Sequence, residues 1–146
     1  AFSFTRYGTV SPASGWSFAA GNFAGDYRAD VVGYHPSNGS LWVGANTGSA
    51  FSFTRYGTVS PASGWSFAAG NFAGDYRADV VGYHPSNGSL WVGANTGSAF
   101  SFTQYATVSP AADWSFVAGK FAGDSRSDVM GYHPSNGSLW VGTTVD

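Results

Sequence analysis

Apolar and polar residues alternate along Phe2–Val10 (FSFTRYGTV), with Phe2, Phe4 and Arg6 on one face and Ser3, Thr5 and Tyr7 on the other. That period of two predicts a strand with one buried face. After the loop SPASG, Trp16–Phe23 (WSFAAGNF) is small and apolar, and predicts a strand placed where neighbouring elements crowd together. The turn AGDYR leads to Asp30–His35 (DVVGYH), a buried strand. Pro36-Ser37-Asn38-Gly39 predicts a tight hairpin with Asn-Gly as its pair of positive-φ residues. Ser40–Gly44 (SLWVG) returns, and ANTGS turns into the next Phe-rich strand.

This pattern recurs with a period of 49 residues. Residues 1–49 and 50–98 are identical, and 99–146 differ from the first copy at 13 of 48 positions. Two perfect copies mean recent duplication or an engineered amplification of one unit. About 40–50 residues suit one four-stranded propeller blade, so the three repeats are expected to be three blades of an all-β propeller. With strands lettered A to D from the axis outward, WSFAAGNF is A, DVVGYH is B, SLWVG is C and the following FSFTRYG is D. The chain therefore starts with a D strand lacking its C partner, and its last C strand, Leu139–Gly142, lacks a D. Unpaired edges invite pairing, and three blades are too few to close a ring. A homodimer with six blades is the expected assembly; a nine-bladed trimer would need unusually wide blade angles.

Composition narrows the classes further. Gly is 21 of 146 residues, aromatics are 18% and charged residues only 10%, with three Leu, no Ile and no Glu. A helical bundle is excluded on these grounds. Net charge is −2 and the six basic residues are scattered, so no nucleic-acid footprint exists. No apolar run is long enough for a membrane-spanning helix. The absence of Cys removes disulfides, thiol catalysis and thiolate metal sites. The opening AFSFTRYGTV reads as a strand and not as a signal peptide; an extracellular or secreted setting is nevertheless favoured.

No enzyme is expected. Ser, His and Asp occur in every repeat, whereas a catalytic site is normally single and asymmetric. Only Asp26 and Asp30 repeat as carboxylates, four residues apart in one turn, and they read as structural. A sugar's apolar face and hydroxyl rim call instead for aromatic side chains beside neutral hydrogen-bonding groups. In the strand phase above, the D–A loop and the B–C hairpin open on one rim. That rim gathers Trp16, His35, Asn38 and Trp42, with Arg6 and Tyr7 approaching from strand D. The second repeat supplies Trp65, His84, Asn87, Trp91, Arg55 and Tyr56. The third supplies Trp114, His133, Asn136 and Trp140, with Gln104 in the place of Arg6. Blade packing also needs large aromatics at a fixed period, and Asn38 has a structural role as the residue before Gly39.

The segment GNFAGDYRADVVGYHPSNGSLWVGANTG resembles FG-GAP/VCBS-type propeller repeats. With SPASGWS ahead of it, the repeat is similar to the blades of PLL-like bacterial lectins. That resemblance implies a propeller with shallow sugar sites between blades, and fucose or a related sugar as ligand. FG-GAP repeats often bind calcium in the A–B loop; the matching positions here are Asn22, Ala24, Asp26 and Asp30. Ala24 offers no side-chain oxygen and Lys120 replaces Asn22 in the third repeat, so a metal-free turn is expected, and no cofactor. The expected function is a multivalent carbohydrate-binding protein. The alternative is a non-catalytic protein–protein interaction propeller.

Overall fold

The computed structural model describes residues 1–12, 15–61, 64–110 and 113–145. Among them there is no helix; eleven strands form three antiparallel sheets. The first blade is β1 (Ser17–Gly21), β2 (Asp30–His35), β3 (Ser40–Asn46) and β4 (Phe51–Thr58), hydrogen-bonded in that order. The second is β5 (Ser66–Gly70), β6 (Asp79–His84), β7 (Ser89–Asn95) and β8 (Phe100–Thr107). The third holds β9 (Ser115–Gly119), β10 (Asp128–His133) and β11 (Ser138–Gly142). The first two blades thus run across a repeat boundary, their outermost strands coming from the next copy of the sequence. The chain is an all-β, three-blade portion of a propeller.

Adjacent blades stack face to face, and the cores lie between them. Phe23, Val32, Tyr34, Leu41 and Val43 of the first blade cluster with Val80 and Phe100 of the second. Phe72, Val81, Tyr83, Leu90 and Val92 repeat the arrangement against Phe116 and Val129 of the third. The alternation in each strand explains this. Val32 and Tyr34 project from one side of the sheet, while Trp16, Phe18 and Gly33 belong to the other. Inner strands touch, β1 against β5 and β5 against β9. A Cβ on Gly21 would lie 3.0 Å from that of Ala78, so the residue must be small for the blades to approach.

Two expectations are corrected. Phe2–Val10 is not a strand, although residues 51–58 with the same sequence form β4. β4 has β3 to pair with, whereas no strand pairs with residues 2–9 among the described residues. Isolated alternation does not hold an extended segment as a strand; the ladder does. Second, the hairpin Pro36–Gly39 is a four-residue loop in which only Gly39 has positive φ (75°), and Asn38 does not. The Gly39 N–H donates to the carbonyl of His35 (2.9 Å), four residues back.

Candidate functional site

His35, the last residue of β2, meets Trp16 just before β1, with ring centroids 4.6 Å apart and planes at 80°. The same pairs recur as Trp65 with His84 (4.6 Å) and Trp114 with His133 (4.7 Å). Trp16 stacks on Phe18 (5.7 Å, 14°) and its Nε1–H donates to Ser11 Oγ (3.2 Å). It fits because Gly33 beneath it has no side chain: a Cβ there would lie 3.2 Å from the indole and 2.6 Å from Phe18. His35 Nδ1 is tied to Ser37 Oγ at 2.7 Å, which fixes the ring's orientation.

Trp42 is held by a short relay. Its Nε1–H donates to Ser40 Oγ (3.0 Å), and Ser40 Oγ donates to Asn38 Oδ1 (2.6 Å), which also accepts from Ser40 N–H (3.0 Å). Asn87–Ser89–Trp91 and Asn136–Ser138–Trp140 copy it. The Asn carboxamide oxygen is therefore committed to the hairpin. Gly33 pairs with Trp42 and His35 with Ser40, so Trp16, His35 and Trp42 lie on one face of the blade.

The third blade shows the grouping most openly. Trp114, His133, Asn136 and Trp140 line one cavity of about 790 Å³ together with Gln104 and Tyr105 of β8. Those last two occupy the repeat positions of Arg6 and Tyr7. Arg6 itself lies in the irregular N-terminal segment and is exposed. Tyr7 is half-buried: its hydroxyl donates to the Gly48 carbonyl (3.1 Å) and its ring meets Phe51 at 5.5 Å. Tyr56 does the same with Gly97 and Phe100. In the pairing of β3 with β4, Arg55 stands opposite Trp42, just beyond a register shift. Gln104 likewise stands opposite Trp91. The register between strands from neighbouring repeats decides this, and no sequence spacing carries it. Sequence reasoning also passed over the serines that fix the rings, Ser37 and Ser40 with their repeats. Their signal is a hydroxyl two residues after each His and two residues before Trp42, Trp91 and Trp140.

The A–B loop is a second cluster. Asp30 is fully buried; its Oδ2 accepts from Ala24 N–H (2.8 Å) and its Oδ1 from Asn46 N–H (2.7 Å). Asp79 and Asp128 repeat this with Ala73 and Asn95, and with Ala122 and Thr144. Asp26 Oδ1 accepts from the Arg28 backbone N–H (2.9 Å), and Asn22 Oδ1 from Gly25 N–H (3.0 Å). Both oxygens of each repeated buried carboxylate thus face backbone donors that knit turn to sheet. No cluster of three or more metal-ligating side chains occurs among the described residues. Burial pushes the Asp79 carboxyl above its usual range, the middle blade being covered on both sides. At the open end, the N–H groups of Ala122 and Thr144 hold Asp128 below it.

No protein-family model matches the chain, and no curated protein does. Among solved structures, a lectin of Agrocybe aegerita described for its specific recognition of non-reducing terminal N-acetylglucosamine superposes with a TM-score of 0.65 at 18% identity. The match covers 90% of this chain and 39% of that one. Over nearly its whole length, then, the chain is similar in fold to part of a lectin.

Proposed function

We propose that this protein is a multivalent, non-catalytic carbohydrate-binding protein whose shallow sites repeat between blades. One observation carries the reading: the same Trp–His–Trp face, its rings fixed by Ser and Asn, is built three times. Ring faces beside neutral hydrogen-bonding groups suit the apolar face and hydroxyl rim of a monosaccharide. The fold shared with a lectin supports it further.

The resemblance of the repeats to PLL-like lectin blades favours fucose, while the structural neighbour is described for recognition of non-reducing terminal N-acetylglucosamine. Two chains forming one six-bladed ring are the assembly that goes with this reading. A glycan array carrying both sugars in terminal positions is the direct test. Monosaccharide-dependent signals are expected; a blank array from folded protein would refute the sugar reading in favour of a protein-binding propeller.

A further inference from the structure

Two side chains deep in the blade junctions have no partner for their polar ends. Tyr34 and Tyr83 are each 3% exposed, and among the described residues neither hydroxyl makes a hydrogen bond. They hold the same place in successive blades, next to last in β2 and in β6. Tyr34 packs on Phe67 of the second blade with ring centroids 5.2 Å apart, and Tyr83 packs on Phe116 of the third at the same distance. The following blade's Trp, Trp65 in one case and Trp114 in the other, packs against the same two cores. Phenylalanine would fill this space without the cost of drying a hydroxyl. A buried donor left unpaired is rare in a folded protein, and here it points to a partner from outside the chain.

At the second of these junctions there is room for one. A cleft of about 180 Å³ lies between the second and third blades, with Tyr83, Leu90, Ser66, Trp114 and Ser115 among its walls. Tyr83 and Leu90 are buried and form its floor, while Ser66 and Ser115 are exposed and mark its mouth. Liquid water takes about 30 Å³ per molecule, so the cleft has room for about six waters or for the edge of a sugar ring. A few polar groups converging in an apolar cleft is the ordinary build of a small-ligand site. Trp114 also belongs to the Trp–His–Trp face of the third blade. The cleft therefore continues that candidate site inward, onto the preceding blade.

One residue sets this junction apart. Asp113 stands just before Trp114, where the first two repeats have Gly15 and Gly64. All three have positive φ, 70° at both glycines and 53° at Asp113, which alone among the described non-Gly residues does so. Glycine suits that conformation best, so a carboxylate is kept there against the local backbone preference. Its charge reaches the cleft. Burial first, and then the Asp113 carboxylate, hold the Tyr83 phenol above its usual range, whereas burial alone does so for Tyr34. A phenol can donate where an ionised carboxylate only accepts, so the two grip different hydroxyls of one sugar.

We infer that a sugar hydroxyl enters the cleft and accepts from the Tyr83 hydroxyl, and that Tyr34 serves the first junction in the same way. Asp113 accepts from a neighbouring hydroxyl of the sugar at the second junction alone. Each site then draws on two blades: a Trp–His–Trp face from one and a buried Tyr from the blade before it. The inference rests on the sugar-binding reading and names the groups that grip the ligand.

The test compares full-length Tyr34→Phe, Tyr83→Phe and Asp113→Asn with the wild type. Urea titration reads stability, and calorimetry against fucose and N-acetylglucosamine reads binding. Asn tolerates the positive φ and removes the charge. Loss of an unpaired hydroxyl should leave the urea midpoint unchanged or raise it. Affinity for the sugar bound by the wild type should fall about fivefold at the altered junction. Asp113→Asn should weaken the second junction's site by a similar factor and leave the first unchanged. A lowered urea midpoint in both Tyr variants would show hydroxyls bonded within the fold and overturn the inference. Unchanged midpoint with unchanged affinity would assign the hydroxyls to a trapped water and overturn it too, with the sugar reading intact. Full affinity in Asp113→Asn would strike that residue's part. Folded wild type that binds neither sugar would refute the sugar reading, and the inference with it.

Discussion

The side-chain amide of Asn95 donates to the backbone carbonyl of Phe23, 2.8 Å away in the neighbouring blade and 72 residues earlier in the chain. The same amide donates to Ala78 O (3.0 Å), and Asn95 Oδ1 accepts from Gly97 N–H (2.8 Å). Asn95 is buried, so truncation leaves these backbone groups without partners. Asn95→Ala should cost about 1–3 kcal/mol of unfolding free energy in urea titrations. Asn46, the same residue at the open face, bonds Ala29 and Gly48 in an exposed setting. In the separated chain Asn46→Ala should cost less than half as much.

Gly93→Ala places a methyl 2.8 Å from the Phe102 ring and 2.9 Å from Val80. Neither neighbour can retreat from a packed blade junction, so a loss of about 1–3 kcal/mol is expected. In the separated chain Gly142→Ala meets only Val129 (3.0 Å). That variant should fold with a smaller loss, read from the same urea titrations.

Calcium should be dispensable. Both oxygens of Asp30, Asp79 and Asp128 accept from backbone N–H groups, and Lys120 brings a positive charge to the third turn. Chelator treatment is expected to leave the melting temperature unchanged. Asp30→Ala, by contrast, strips partners from two backbone donors and should destabilise by about 1–3 kcal/mol.

Asp79 gives a defined pH dependence. Burial raises its folded pKa above the ordinary 3.8, so the folded chain holds the proton more tightly than the unfolded one. Its contribution to stability is fully present below pH 3.8 and is lost as pH rises through the folded value. The unfolding free energy of the wild type minus that of Asp79→Asn should therefore fall as pH is raised from about 3 to 7. A difference that rises with pH would contradict the assignment.

Under the sugar-binding reading, replacing His35, His84 and His133 together by Ala should lower affinity several-fold while circular dichroism stays unchanged. Each shallow site is expected to bind a monosaccharide with a Kd of about 0.1–1 mM, and a multivalent surface to gain roughly 10²–10⁴ by avidity. Arg55 stands opposite Trp42 and Gln104 opposite Trp91. Calorimetry should then distinguish the Trp42 site from the Trp91 site, and Gln104→Arg should bring the second to the affinity of the first.

Much of the fold was legible in the chain itself because its cues are local. The 49-residue period, the aromatic and Gly-rich composition and the Asp30–His35 and Ser40–Gly44 patterns led to four-stranded blades in the order the sheets show. The composition of the candidate site was equally visible, since His35 ends one strand and Trp16 precedes another in every repeat. Local chemistry misled at the hairpin, where Asn-Gly suggested a two-residue turn. Four loop residues, with the Gly39 N–H bonded to the His35 carbonyl, need only one positive φ.

What the sequence alone determined, then, is the repeating unit, its strand order and the residue types each blade brings to its rim. Tertiary structure alone decided which identical segments become strands and which side chains meet. FSFTRYGT is β4 at residues 51–58 and irregular at residues 2–9, because a strand exists only where a neighbouring ladder satisfies its backbone. Arg55 lies opposite Trp42 because the register between strands of successive repeats, with its shift at Leu41/Trp42, sets cross-strand neighbours. Both are properties of pairing over distance, and a one-residue change in register would alter them without altering any residue.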